Sequence, residues 1–223
     1  MGKDFTGDDL SGRDFSGNSL IGINFSNANL SNANLSQVNF KNANLSNANL
    51  AFANLSHADL SHTNFSNADL SNAILIKAQL IETDLCGANL SNANLSQAIL
   101  CSLADLCSVN FWYVNLTEAQ LNNVSLIGAE LGYAILTGAR LEGVDLSDAN
   151  LCHAKLHRAI LSNVQMKGAN FYDADLSKAV LQQMDLFDVD LSTAKLEGTC
   201  FTQVLGASNK LKYELMRRGA FFI

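Results

Sequence analysis

Large apolar residues stand at every fifth position along almost the whole chain. They run from Phe5 to Leu100 and, after one six-residue step, from Leu106 to Phe201, with twenty in each half. A small residue, most often Ala, precedes most of them by two positions, and the other three positions are mostly Asn, Asp, Ser, Gly or Gln. The pattern therefore describes one unit of five residues, interrupted once by a residue inserted within 101–105.

A period of five excludes the two regular structures that a hydrophobic pattern usually indicates. In a helix, at about 100° per residue, apolar residues five apart would point to every side in turn. In one continuous strand, side chains alternate between faces with a period of two, and five is odd. The small and the large residue of a unit are two apart, so both can point inward from a short extended segment, and the Ser-Asn or Ser-Gly that follows favours a turn. We therefore predict a solenoid that bends once per unit.

Individual units, such as the Ala-Asn-Leu-Ser-Asn of 28–32 and of 43–47, resemble those of the pentapeptide-repeat family. The resemblance implies an all-β solenoid, a right-handed quadrilateral β-helix with four units per coil and about ten coils for forty units. It covers residues 1–205, with the register break at 101–105, and leaves 206–223 as a C-terminal segment. The first coil departs from the pattern, because polar residues stand where the small residue belongs, and we expect this coil to be frayed, hydrated or covered. These residues are Lys3, Asp8, Arg13 and Asn18.

The C-terminal segment predicts a short α-helix. Ser208 or Asn209 would cap a helix that begins at Lys210, and Gly219 would end it. Two interpretations stay open: the segment caps the open end of the solenoid, or it forms a homodimer contact, as in some members of the family. The residues that either role would use are Leu211, Leu215, Met216, Phe221 and Phe222.

Aromatic residues concentrate on one of the four predicted sides, if the inserted residue is looped out. A contiguous exposed group of aromatic residues is a candidate protein-binding surface. The alternative is that rings stacked about 4.8 Å apart in successive coils only stabilise the solenoid. The candidate surface comprises Phe52, Trp112, Tyr113, Tyr133, His153 and Tyr172.

No motif indicates catalysis, a cofactor or a metal site, and we expect none of these. The chain has no phosphate loop, dinucleotide fingerprint or G-x-S-x-G, and its five cysteines form no C-x-x-C pair. Cys86 and Cys107 would lie one coil apart, close enough for a disulfide by their Cα distance. Reduced thiols are the expected state without an export signal.

Composition narrows the environment and the partners. No run of about 18 apolar residues could cross a bilayer, and the first residues lack the basic and apolar regions of a signal peptide. We therefore expect a cytoplasmic protein without membrane contact. A formal net charge of −7 argues against direct binding of nucleic acid.

Two functions remain, and both are binding functions. The leading hypothesis is a non-catalytic solenoid that binds another protein, as yet unidentified, through one side. The resemblance also implies a bacterial and especially cyanobacterial source, and it suggests an alternative. Acidic members of the family look like duplex DNA, bind type II topoisomerases such as gyrase, and confer tolerance to quinolones or toxins. The net charge of −7 is far below the roughly 28 charges of a duplex about 48 Å long.

Overall fold

In the computed structural model, which describes residues 4–101, 104, 106 and 108–223, the chain forms a parallel β-solenoid. Neighbouring coils are joined by parallel bridges between residues twenty apart, such as Asp4 with Asn24 and Asn24 with Asn44. Twenty residues are four units of five, so each coil has four sides. The predicted all-β solenoid with a short C-terminal helix is confirmed.

One side of the solenoid carries regular strands, which pair in parallel in chain order. They are β1 Gln79–Ile81, β2 Ile99–Cys101, β3 Gln120–Asn122, β4 Arg140–Glu142, β5 Ile160–Ser162, β6 Val180–Gln182, β7 Cys200–Thr202 and β8 Phe221–Phe222. Strands β1 to β7 mark the seven turns that carry regular strands. Towards the N-terminus the same side continues through isolated bridges, Ser19 with Asn39 and Asn39 with Asp59. Asn and Asp favour extended pairing less than the Ile and Val of the later strands do.

The hydrogen bonds of one unit explain its composition. The Leu30 N–H donates to the Asn49 carbonyl of the next coil at 2.7 Å, and the Asn49 N–H donates back to the Ala28 carbonyl at 2.9 Å. The turn closes where the Ala33 N–H donates to the Leu30 carbonyl at 3.1 Å. Asn32, in that turn, has φ 59°, a left-handed value that Asn and Gly adopt most readily. Because these N–H groups are used as donors, proline is absent from the chain.

The interior is filled by the large and small residues of the repeat. From Phe25 to Phe201, every large residue of the repeat is at most 4% exposed. Where Thr replaces the small residue, its hydroxyl donates to a carbonyl of the preceding coil: Thr63 Oγ1 to the Phe40 carbonyl at 2.9 Å, and Thr199 Oγ1 to the Leu176 carbonyl at 2.8 Å. The buried hydroxyls are therefore satisfied, as buried polar groups need to be.

The inserted residue changes the pairing of only one coil. Leu100 pairs with Leu121, 21 residues later, whereas Asn110 pairs with Glu130, 20 residues later. The units that form one side of the solenoid before the insertion therefore pair with the units that form the same side after it. Residues 102, 103, 105 and 107 lie outside the described residues. Because Cys107 is one of them, the two predicted alternatives, a Cys86–Cys107 disulfide or reduced thiols, lie outside them as well.

The first coil is paired along its inner edge and open to solvent at its outer end. The Phe5 N–H donates to the Asn24 carbonyl at 2.9 Å, so the described part of the coil is regular rather than frayed. Its large residues are only half-buried: Phe5, Leu10, Phe15 and Leu20. The polar residues at its small positions face water: Asp8, Arg13 and Asn18, while Lys3 lies outside the described residues.

Hydrogen bonds hold a carboxylate of this first coil in its ionised form. The Thr6 hydroxyl donates to Asp4 Oδ1 at 2.6 Å, and Asn24 Nδ2 donates to the same oxygen at 3.0 Å. The hydrogen bonds from the Thr6 side chain and backbone lower the pKa of Asp4. Because this pKa is lower in the folded chain, the stabilisation is fully present above the ordinary pKa of about 3.9 and is lost as the pH falls through the lowered value.

Replacing Thr6 by Val is expected to raise the pKa of Asp4 towards its ordinary value. The substitution removes the hydroxyl donor but keeps the side-chain shape and the Thr6 N–H. Titration of the Asp4 carboxyl carbon by NMR measures the effect. The control is Ser11→Ala, since the Ser11 N–H donates to Asp9 and not to Asp4. An unchanged Asp4 pKa in Thr6→Val would contradict the assignment.

The C-terminal segment lies on the last coil. Helix α1, Asn209–Arg217, begins at Asn209, and the Ser208 hydroxyl caps it by accepting from the Leu211 N–H at 3.2 Å. After the helix, β8 adds to the sheet beside β7. The Arg218 guanidinium donates to the Leu191 carbonyl at 2.7 Å and also to the Ala194 carbonyl. Backbone groups that would be unpaired at the end of the solenoid therefore have partners here.

The five residues singled out in this segment divide into two groups. Leu215 is buried, and Leu211 and Phe222 are half-buried against the core. The Phe222 ring stacks on Phe201 with a centroid distance of 5.0 Å. Met216 and Phe221 point away, 55% and 43% exposed.

Candidate protein-binding surface

The candidate surface begins with a backbone position that ordinarily disfavours aromatic residues. Phe52, Tyr113, Tyr133 and His153 are the second turn residues of their units, with φ between 58° and 61°. A side chain in this left-handed conformation costs about 1 kcal/mol or more, and Asn tolerates it better than a bulky residue. Other coils have Asn at this corner: Asn32, Asn72 and Asn92. The aromatic residues therefore replace the locally preferred residue type.

Five of the six predicted residues form one continuous group, which we call the ring chain: Trp112, Tyr113, Tyr133, His153 and Tyr172. The Tyr113 and Tyr133 rings stack at 4.9 Å and 18°, and the Tyr133 and His153 rings at 4.6 Å and 19°. Trp112 lies 5.8 Å from Tyr133, and Tyr172 meets His153 edge-on at 5.7 Å. The ring chain thus spans four successive coils: the stacked column covers three of them, Trp112 lies beside its first two rings, and Tyr172 lies beyond its last.

Trp112 lies flat against the wall of the next coil at Gly132. A Cβ atom on Gly132 would lie 2.7 to 2.9 Å from three carbons of the indole ring. Only glycine therefore lets the indole approach the backbone so closely. Nothing in the aromatic pattern points to Gly132, but its position twenty residues after Trp112, where earlier coils have Ser71 or Ser91, is a usable signal.

Phe52 shares the corner but is not part of the ring chain. The Asn72 and Asn92 coils separate it from Tyr113, and three coil steps of about 4.8 Å place it roughly 14 Å away. Its side chain is 60% exposed. The structure therefore brings five of the predicted residues together and leaves Phe52 as an isolated exposed ring.

The ring chain remains open to solvent although its rings contact one another. Tyr133 is stacked on both faces and Tyr113 on one, yet Tyr113 and Tyr172 are 52% and 54% exposed. The arrangement both stabilises neighbouring coils and exposes phenol groups for contact with another molecule.

Carboxylate, imidazole and hydroxyl groups come together at one further place, without a catalytic arrangement. His157 Nδ1 lies 3.5 Å from Ser177 Oγ, but Ser177 Oγ donates to Asp175 Oδ1. Partial burial raises the pKa of Asp175, but the hydrogen bonds from Ser177 outweigh it, and the net pKa is lowered. The hydroxyl proton is thus directed to the Asp175 carboxylate and not to the His157 imidazole, unlike in a serine–histidine nucleophile pair.

Two further searches of the described residues bear on function. Within them, no group of three or more His, Cys, Asp or Glu could hold a metal ion. No helix in this part of the chain is long and apolar enough to cross a membrane.

A second exposed ring lies on another side of the solenoid and serves below as a control. Phe187 is 66% exposed and borders a cavity of about 360 Å³ that Met166 and Met184 also line. Met184 is a large residue at a small-residue position of the repeat. Phe187 is an exposed aromatic residue, like the candidate residues, but it does not belong to the ring chain.

Comparison with known proteins identifies the class. The family model for pentapeptide repeats matches residues 9–47, 28–67, 63–100, 101–143, 134–172 and 165–203. The chain therefore belongs to the pentapeptide-repeat family. HetL, a pentapeptide repeat protein involved in heterocyst differentiation regulation from the cyanobacterium Nostoc sp. strain PCC 7120, is 32% identical, with 88% of this chain and 86% of HetL covered and a TM-score of 0.54.

Two other solved structures match with lower TM-scores. QnrB1, a plasmid-mediated fluoroquinolone resistance protein, is 21% identical, with 96% of each chain covered and a TM-score of 0.45. AT2G44920, a pentapeptide repeat protein from the thylakoid lumen of Arabidopsis thaliana, is 34% identical, with 54% of this chain and 69% of that one covered and a TM-score of 0.23. Among curated proteins there is no match.

Proposed function

We propose that the chain is a non-catalytic solenoid that binds another protein through the ring chain, in the cytoplasm of a bacterial, and specifically cyanobacterial, cell. The observation that carries the proposal is the placement of exposed tyrosines at a left-handed corner where Asn serves in other coils. HetL, similar over most of its length, is involved in regulating a differentiation process. A regulatory binding role for this chain is consistent with that relationship.

Stacking alone accounts for only part of the ring chain. A stacked aromatic pair contributes about 0.5 to 1.5 kcal/mol, which the left-handed conformation of each ring residue roughly offsets. Trp112 and Tyr172 lie outside the stacked column. A purely structural ladder, in which stacked rings only stabilise successive coils, would not require them. Trp and Tyr are the residue types that most often dominate protein interfaces. The additional rings therefore support a binding surface over a purely structural ladder.

A solenoid filled by its own side chains offers surface rather than an enclosed site, which supports a binding role without catalysis or cofactor. The contacts of Ser177 also support a non-catalytic role, because its hydroxyl donates to Asp175 and not to His157.

The alternative of a DNA-like surface for a type II topoisomerase has less support. In one column of bridge residues, neutral residues follow the acidic ones in successive coils: Asn89 follows Asp69, and Asn150 follows Glu130. Duplex DNA carries a charge about every 1.7 Å without such gaps. A gyrase supercoiling assay, with and without a quinolone, tests this alternative, and an effect of the purified protein would favour it.

The test of the proposal is affinity capture by the full chain from a cyanobacterial lysate, with three baits. Trp112→Ala combined with Tyr133→Asn is expected to lose at least about tenfold of the captured partner, a typical effect of removing two interface hot spots. Asn at 133 suits the φ of 58°, so the melting temperature should change by less than about 3 °C. Phe187→Ala should capture like the wild type. Unchanged capture together with a large fall in melting temperature would establish the ladder instead.

A further inference from the structure

The side of the solenoid that carries the ring chain has no Lys or Arg. In each coil this side and its corner comprise a bridge residue, the large residue and two turn residues, from Asp9 in the first coil to Thr193. Those forty positions contain no Lys or Arg, although the chain has fourteen. They contain five acidic residues: Asp9, Asp69, Glu130, Asp173 and Asp190. The nearest base after His153 is Lys155, whose bridges to Ile135 and Asp175 place it on the next side.

Two of these carboxylates belong to the same coils as the ring chain. Glu130 precedes Gly132 and Tyr133, and only its Oε2 is engaged, accepting from Asn150 Nδ2 at 2.9 Å. Asp173 follows Tyr172, with Oδ2 3.9 Å from His153 Nδ1. Both residues are exposed. An aromatic surface bordered by two carboxylates and without a Lys or Arg of its own favours a positively charged ligand.

The exposed groups fit arginine better than lysine. The phenol hydroxyls and carboxylates at the edges of the ring chain accept hydrogen bonds, and a guanidinium offers five N–H donors in one plane. The flat indole of Trp112 suits a guanidinium stacked over it. Lysine is a compact, strongly hydrated charge that meets these planar groups less well.

We propose that the ring chain binds an arginine-bearing extended segment of the partner protein, with guanidinium groups on Glu130 and Asp173. This inference rests on the proposed function and names the chemistry of the partner. The two carboxylates are two coils apart, about 10 Å along the solenoid axis, and are offset across the side, because Glu130 is a bridge residue and Asp173 a second turn residue. In a polyproline II segment, residues three apart lie on the same side and about 9.3 Å apart. The fitting sequence is therefore Arg-x-x-Arg.

The probe is the peptide Gly-Arg-Pro-Pro-Arg-Gly, titrated into the full chain. Trp112 is the only tryptophan of the protein, so its fluorescence reports on this surface alone. A saturable change is expected, and it should weaken as salt is raised. Matched peptides with Lys in place of Arg are expected to bind at least threefold more weakly, and those with Gln at least tenfold more weakly.

Protein variants separate the charges from the rings. Glu130→Gln combined with Asp173→Asn should weaken binding of the arginine peptide at least tenfold. The control Asp69→Asn, on the same side but outside the ring chain, should weaken it less than twofold. Equal binding of the Gln peptide, or an unaffected double variant, would overturn the inference. If Trp112→Ala with Tyr133→Asn still abolishes capture of a lysate partner in that event, the proposed function stands and only the arginine chemistry is wrong.

Discussion

A chain shortened by residues 206–223 is expected to melt at a lower temperature and to associate end to end. Without α1 and β8, the last coil would expose Phe201, which is now fully buried, and the edge of β7. Burial of Leu215 and part of Phe222 contributes about 3 to 5 kcal/mol, and this would be lost. Unpaired strands and an exposed core at the end of a solenoid favour association.

Thermal melting and light scattering after size exclusion measure both effects, and they separate a cap from a dimer contact. We propose the cap, because Leu211, Leu215 and Phe222 pack on the last coil of their own chain. A dimer contact would instead use the exposed Met216 and Phe221. The control variants Met216→Ala and Phe221→Ala should leave mass and melting temperature unchanged. If the full chain has the mass of two copies in solution and the shortened chain the mass of one, the segment is a dimer contact.

Phe65→Ala is expected to lower the free energy of unfolding by about 3 to 5 kcal/mol. Phe65 is fully buried in the middle of the N-terminal half, and truncating a buried Phe both loses its transfer free energy and leaves a cavity. The matched control is Phe187→Ala, because Phe187 is 66% exposed and its truncation should change stability by no more than about 0.5 kcal/mol.

The unfolding transition of Phe65→Ala should also depend on the probe. Coils of a solenoid contact only their neighbours, so a weakened coil can separate the melting of the parts on either side. In urea, circular dichroism reports on all coils, whereas fluorescence reports on the coils around Trp112. We expect the dichroism signal of the variant to fall before the fluorescence changes. Coincident transitions with an unchanged midpoint would show that Phe65 is not essential to the core.

The period of five was enough to predict the solenoid but not its cross-section. A unit with two inward residues and a turn fixes a bend, and Leu30 with Asn32 shows how that bend is made. The number of bends per coil came from the family resemblance, since four sides leave no separate mark on a five-residue pattern. The pairing of residues twenty apart, Asp4 with Asn24, supplies that number directly.

Which candidate residues share a corner of the solenoid was predictable from the sequence, whereas the geometry of their ring contacts was not. Residues twenty apart must share a corner, so the stacking of Tyr113, Tyr133 and His153 follows from position alone. The ring orientations do not, because they depend on rotamers and on the left-handed backbone. The packing of Trp112 on Gly132 needs the coordinates of two neighbouring coils.

The C-terminal tail shows a similar limit. A short apolar run such as 220–223 predicts burial or contact, yet it is too short to carry a strand or helix period. Its role as β8 depends on the free edge of β7, which is a property of the last coil. Tertiary context therefore decides the structure of this segment.

Because residues twenty apart pair with one another, each coil of the molecule is one module of twenty residues. Duplicating any twenty consecutive residues of the repeat lengthens the rod by one layer and leaves every surface in line. Duplicating only five residues would rotate all of the following chain by a quarter turn about the solenoid axis. A surface patch formed by two coils would then be divided between adjacent sides. The single extra residue between Leu100 and Leu106 is taken up within one layer. Growth of this gene by whole layers conserves its surfaces, whereas growth by single units rearranges them.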